Sequence, residues 1–132
     1  MTSSFQDFGL AEPIARARAE EKYVTPTPIQ AQTIPIVLSR RDVIGIAQTG
    51  TGKTAAFALP ILHHIFANRR RMERKCCRVL VISPTRELSG QILDSFRAYG
   101  RHLRINAALA IGGVPSGRLR EGFPRFCIAT RE

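Results

Sequence analysis

Ala47-Gln48-Thr49-Gly50-Thr51-Gly52-Lys53-Thr54 is the stretch on which the reading of this sequence turns. Small residues at this spacing let successive backbone N–H groups turn inward around an anion at the start of a helix. Lys53 adds a point charge suited to the outer phosphates of a nucleotide, and the Thr54 hydroxyl can join a Mg2+ shell. The pattern is that of a phosphate-binding loop, with Ala47 where the first glycine usually stands. The competing reading is a glycine-rich turn with an incidental lysine. Context favours the loop. The short apolar run 42–47 enters it and fits a buried strand; the apolar stretch 53–68 leaves it and fits a helix kinked near Pro60. Such a loop points to a nucleoside triphosphate and leaves the reaction open.

On the C-terminal side the apolar run 79–83 reads as a second strand and 85–99 as a helix stopped by Gly100. Residues 105–111 read as a third strand closed by Gly112-Gly113, and 126–129 as a fourth. Strands alternating with helices imply βαβ units, hence an α/β domain with a parallel sheet covered by helices on both faces. Ligands of such sheets sit at the C-terminal ends of the strands, where the loop falls. On the N-terminal side, 10–38 reads as two helices. The first spans 11–22; Pro26 and Pro28 break the chain after it. Thr27 is a natural N-cap for the second, with Pro28 at its first position and Gln30 at its third.

The 132 residues suit one domain with an ordinary core. No apolar run approaches membrane-span length, and Met1-Thr2-Ser3-Ser4 has neither the basic nor the apolar part of a secretory signal. Cys76, Cys77 and Cys127 match neither a disulfide framework nor a metal clamp, and read as reduced thiols of a cytosolic protein. The net charge of +10 is one-sided. Residues 1–41 carry five basic side chains against four acids, and 42–132 carry fifteen against six. That excess favours a polyanionic partner without saying which. The run 68–78, with Arg69, Arg70, Arg71, Arg74, Lys75 and Arg78, reads first as a solvated loop and second as a nucleic-acid patch. His63 and His64 lie within an apolar helix and read as packing or surface residues.

Three stretches together narrow the class. The run 47–54, the segment Tyr23-Val24-Thr25-Pro26-Thr27-Pro28-Ile29-Gln30 and the segment Pro84-Thr85-Arg86-Glu87-Leu88 resemble motif I, the Q motif and motif Ia of DEAD-box RNA helicases, in that order and spacing. The wording around Gly45 is similar to the bacterial RhlE-like branch. The resemblance runs from Phe5 to about Gly113 and implies a RecA-like domain that binds ATP with Mg2+ and contacts RNA without sequence specificity. It assigns Gln30 to the adenine edge, Phe5 to stacking on the base, and Tyr23 and Thr25 to the adenine pocket. It assigns Ala47, Gln48, Thr49, Gly50, Thr51, Gly52, Lys53 and Thr54 to the phosphates, with Thr54 also on the metal. Pro84, Thr85, Arg86, Glu87, Gly112 and Gly113 would hold the RNA backbone. Read from chemistry alone, Phe5 and Tyr23 fit core packing, Gln30 fits a helix cap, and Arg86–Glu87 fits a local ion pair. Lys22 stands where the family usually has a glycine.

The resemblance weakens after Gly113. Residues 116–124 fit the family's helix poorly, Ala129-Thr130 opens its next motif without completing it, and no Asp-Glu-Ala-Asp occurs. Phosphoryl transfer needs carboxylates for Mg2+ and for the attacking water, and in this family an arginine from a second RecA-like domain. The expectation is therefore a partial helicase ATP-binding domain over 1–132, with a Q-motif region at 1–41 and a divergent tail at 114–132. It would bind ATP and touch RNA but turn over little ATP alone, as a truncated gene product or a fragment. The rival readings are a non-catalytic RNA-binding module, another phosphate-loop enzyme such as a small-molecule kinase, and an inactive remnant.

Overall fold

The structure is a computed structural model, and it describes residues 4–69, 76–112 and the backbone of 126–130. A 3-10 turn at Phe5–Phe8 precedes four helices and three strands. They are α1 (Glu12–Glu20), α2 (Pro28–Leu38), α3 (Lys53–Ala67), β1 (Val79–Ser83), α4 (Arg86–Tyr99), β2 (Ala107–Ala110) and β3 (Phe126–Thr130). The sheet is parallel, as the alternation of elements implies, in the order β1-β3-β2. The last strand lies in the middle: Val79 and Ala107 both stand opposite Phe126.

The helices start and stop where their caps dictate. Pro13 and Pro28 occupy first-turn positions of α1 and α2, where a missing N–H costs nothing. Both helices end in Schellman motifs. After α1 the Lys22 N–H bonds the Ala19 carbonyl and the Tyr23 N–H the Arg18 carbonyl; after α2 Arg40 and Arg41 repeat this on Val37 and Ile36. The residue at the turn of each motif is left-handed, Lys22 at φ 62° and Arg40 at φ 58°. That explains the family preference at position 22: glycine enters this region freely, whereas a side chain costs about 1 kcal/mol.

The core lies between α3 and its neighbours. On α3, Ala55, Ala58, Leu59 and Leu62 recur at helical spacing and are buried against Ile14 of α1, Ile34 of α2 and Phe96 of α4. Burying a ring such as Phe96 contributes roughly 1.5–3 kcal/mol. α3 runs continuously through Pro60.

One expectation needs correction. Residues 42–47 are not a strand and are not buried. They pair with nothing among the described residues, and Ile44 and Ile46 are 93% and 92% exposed. An apolar run earns a ladder only from a neighbouring strand, and none of the three described strands lies beside it. Among the described residues, one face of β1 is also left open. Val79 and Val81 of β1 pack on the core, but Leu80 and Ile82, which point the other way, are 57% and 64% exposed.

Candidate functional site

The phosphate-loop segment sits between α2 and the start of α3. Gly50 and Gly52 both have φ 80°, a backbone that only glycine adopts without strain, and they turn the chain sharply before Lys53 opens the helix. No side chain caps the first turn of α3, so its orphan N–H groups remain available to an anion. Thr51 steadies the loop from within, its hydroxyl donating to the Gln48 carbonyl at 2.7 Å. The Lys53 ammonium folds back onto the Ala47 carbonyl. Gln48, Thr49, Gly50 and Lys53 are exposed, and Thr54 is half-buried.

The N-cap of α2 holds this loop from outside. Gln30 is completely buried, and both ends of its carboxamide are engaged. Its Oε1 accepts the Thr27 N–H at 3.0 Å, and its Nε2 donates to the Gly52 carbonyl at 3.2 Å. The Thr27 hydroxyl donates to the Thr51 carbonyl at 2.8 Å. A Cβ on Gly52 would lie 2.3 Å from Gln30 Nε2, so the close approach itself requires glycine. Sequence reasoning found Gln30 and read Thr27 as a cap. It missed the hydroxyl's reach to Thr51, 24 residues away, for which no local signal exists.

The remaining base-side residues are placed differently. Phe5 belongs to the core, 3% exposed, with its ring edge-on to Phe8 and the Arg18 guanidinium 4.8 Å above its centroid. A ring so enclosed offers a base no free face in this conformation. Tyr23 packs edge-on against Tyr99 at 6.1 Å, and Arg18 donates to its carbonyl. Burial first, and then the Tyr23 phenol, push the Tyr99 hydroxyl well above its ordinary range. Thr25 is exposed. Arg18, which the sequence did not single out, is thus the link between Phe5 and Tyr23. Both aromatic residues are held by packing in this conformation.

Pro84 and Thr85 follow the C-terminal end of β1, and Arg86, Glu87 and Leu88 open α4; all five are exposed. The Thr85 hydroxyl caps α4 by accepting the Leu88 N–H at 3.2 Å. Ser83, buried beneath, bonds the Ser89 hydroxyl and the Thr85 carbonyl. Arg86 is engaged and is not a free cation. Gly112 is half-buried, and Gly113 lies outside the described residues, as do positions 70–75 of the basic run. His63 and His64 hold helices together: His63 Nδ1 accepts the Ala11 N–H at 3.0 Å, and His64 Nε2 donates to the Val37 carbonyl at 2.9 Å. Among the described residues no cluster of His, Cys, Asp or Glu could hold a metal ion, and no helix is long and apolar enough to cross a membrane. A cation at the loop would have Thr54 as its protein ligand among them, with the rest of its shell coming from phosphate and water.

An uncapped helix start behind two left-handed glycines, tied to a glutamine cap, agrees with a family match: the model of DEAD/DEAH box helicases fits residues 27–132. The chain belongs to that family. The match continues past Gly113, where motif reading stopped. Among curated relatives, an ATP-dependent rRNA helicase RRP3 of Pyricularia oryzae is 47% identical over 86% of this chain. An ATP-dependent RNA helicase DeaD of Escherichia coli is 41% identical over 97%. The chain spans 20% of the length of each of these two relatives. The RNA helicase Prp28 of Chaetomium thermophilum, solved bound to ADP, superposes with a TM-score of 0.84 at 35% identity, covering 96% of this chain and 32% of that one. The fold is therefore the RecA-like α/β domain of DEAD-box helicases, and the relatives named are RNA helicases.

Proposed function

We propose that this chain binds an adenine nucleotide at residues 47–54 and contacts RNA backbone at residues 84–88, as part of an ATP-dependent RNA helicase. The observation that supports this most is the pair of hydrogen bonds from Gln30 and Thr27 into Gly52 and Thr51. They join a carboxamide, able to donate and accept at once, to the turn that would carry the phosphates. The α3 amides and Lys53 would take the phosphates once the ammonium leaves the Ala47 carbonyl. Thr54 would share the Mg2+. Nucleotide at the loop and base recognition at Gln30 would then be linked through one shared carboxamide, so binding at either end changes the other. Phe5, Tyr23 and Thr25 would complete the base pocket, and Phe5 would have to turn from under Arg18 to stack.

At the turn 84–87, with Gly112 and Gly113, backbone N–H groups and Arg86 would hold sugar and phosphate, which carry no sequence information. Residues 1–132 would act as one ATP-binding unit, with 1–41 as its base side, in a cytoplasmic protein. Placement in the RhlE-like branch rests on the wording around Gly45 and stands beside relatives from both fungi and bacteria. The 132 residues contain no Asp-Glu-Ala-Asp, so by themselves they are expected to bind ATP and turn it over negligibly. Calorimetry on the 132-residue chain with ADP and GDP tests the reading. ADP should bind, GDP should not compete, and Gln30→Ala should weaken ADP at least tenfold. Equal affinity for the two nucleotides would contradict it.

A further inference from the structure

At the far end of α3 from the phosphate loop, about 20 Å away along the helix, lies a second basic site. A cavity of about 490 Å³ is lined by Val37, Arg40 and Arg41 at the end of α2, His64 and Asn68 at the end of α3, and Arg78 at the entry to β1. Three guanidinium groups border it, two exposed and that of Arg78 half-buried. Among the described residues none of the three has an ion pair with a carboxylate; Asp42, next in the chain, is the nearest acid in sequence.

The bland account is that these arginines serve the carbonyl ends of α2 and α3. It holds for Arg78, which donates to the Ile65 carbonyl at 3.4 Å. It fails for the other two. The Val37 carbonyl is taken by the Arg40 N–H and His64, and the Ile36 carbonyl by the Arg41 N–H and the Ser39 hydroxyl. The Pro35 carbonyl is taken by Ser39, and the His64 carbonyl by Asn68. Neither the Arg40 nor the Arg41 side chain bonds any of these four carbonyls. Two helix C-termini bring about half a negative charge each, which three guanidinium groups exceed. Arg40 also holds a left-handed backbone that glycine would adopt more cheaply. Lys22 shares that backbone, so the strain alone does not mark Arg40; the cavity does.

We propose that this cavity is a second RNA-phosphate site, separate from the turn at 84–88, which engages the backbone of an RNA segment beyond the one held there. The site stands on its own geometry; its ligand class rests on the RNA reading above. A row of cations fits a polyanion better than a single carboxylate. Guanidinium forks suit phosphate oxygens and, without base contacts, discriminate no sequence.

The test is fluorescence anisotropy of a labelled RNA hairpin with single-stranded flanks, over a series of KCl concentrations. It compares the 132-residue chain with the double variant Arg40→Gly, Arg41→Gln and with Arg86→Ala. Arg40→Gly removes a charge while relieving backbone strain, so the fold is kept and melting should not fall. The double variant should bind RNA about tenfold more weakly at low salt, and the slope of log K against log salt should shrink by roughly 1–2. ADP binding should not change. If Arg86→Ala weakens RNA binding and the double variant does not, the cavity is no RNA site although the turn at 84–88 is. If the unaltered chain binds no RNA, the cavity proposal falls together with the RNA reading. Two further arms replace RNA with inorganic phosphate or with polyglutamate. Binding of either that the double variant abolishes, with RNA binding intact, would overturn the assignment to RNA.

Discussion

The two turns proposed to hold anions are built on opposite plans. The loop at 47–52 owes its shape to glycines at positive φ and to a helix that lies 22–24 residues earlier in the chain. The turn at 83–86 has no positive φ and is secured by its own hydroxyls, Ser83, Thr85 and Ser89, all within six residues. The first can be reshaped from a distance, because withdrawing the Gln30 carboxamide releases it. The second is a ledge held by its own neighbours. A nucleotide that competes for Gln30 therefore has a lever on the loop, whereas the ledge has no such handle. This suits a binding site that must sense its ligand beside one that only grips.

Breaking the loop outright is the severest challenge to that contrast. Gly52→Ala forces a side chain into the left-handed region and drives its Cβ into Gln30. A loss of roughly 2–4 kcal/mol is expected in denaturant unfolding, together with abolished ADP binding in calorimetry. Gln30→Ala tests the clamp alone. It leaves the Thr27 N–H without its partner and the Gly52 carbonyl with the Ala56 N–H alone, for about 1–3 kcal/mol. Gln30→Glu keeps an acceptor for Thr27 and removes the donor to Gly52, so it should retain the cap yet weaken ADP nearly as much.

On the ledge, Thr85→Ala should cost about 1 kcal/mol through the lost N-cap and leave ADP affinity alone. A parallel loss of ADP binding would mean that the two turns are coupled after all. The smallest effect expected concerns pH. Burial, and then the charge of His64, hold His63 below its ordinary value, and its Nδ1 accepts the Ala11 N–H only while unprotonated. Folding thus favours the neutral form. Its contribution is complete above about pH 6.5 and is lost as pH falls through the lower folded value. Unfolding curves on either side of that pH should show the decline, and His63→Gln should reduce it.

Local chemistry made much of this legible. β1 is a run of four β-branched and leucine residues closed by Ser83 and falls at residues 79–83 as read, and Thr27-Pro28 and Thr85 mark helix starts through capping rules that operate over three residues. What escaped depends on distant partners. The run 42–47 has strand composition but no ladder, since strand identity is conferred by neighbours. That β3 lies between β1 and β2 is a matter of topology that no periodicity encodes. At the site, glycines and lysine announced the loop because their roles follow from φ and charge. The Gln30–Gly52 and Thr27–Thr51 bonds did not, because each joins residues more than twenty positions apart. Phe5 could be read as a stacking ring or a core ring, and the sequence gives no sign that Arg18, 13 residues on, covers it in this conformation.

Amide NMR during an ADP titration interrogates the clamp most directly. The Gly50 and Gly52 amides and the Gln30 side-chain NH2 should shift together along one binding curve, while Thr85, Arg86 and Leu88 stay still. ADP-induced shifts that bypass Gln30, or that move the ledge as much as the loop, would contradict it.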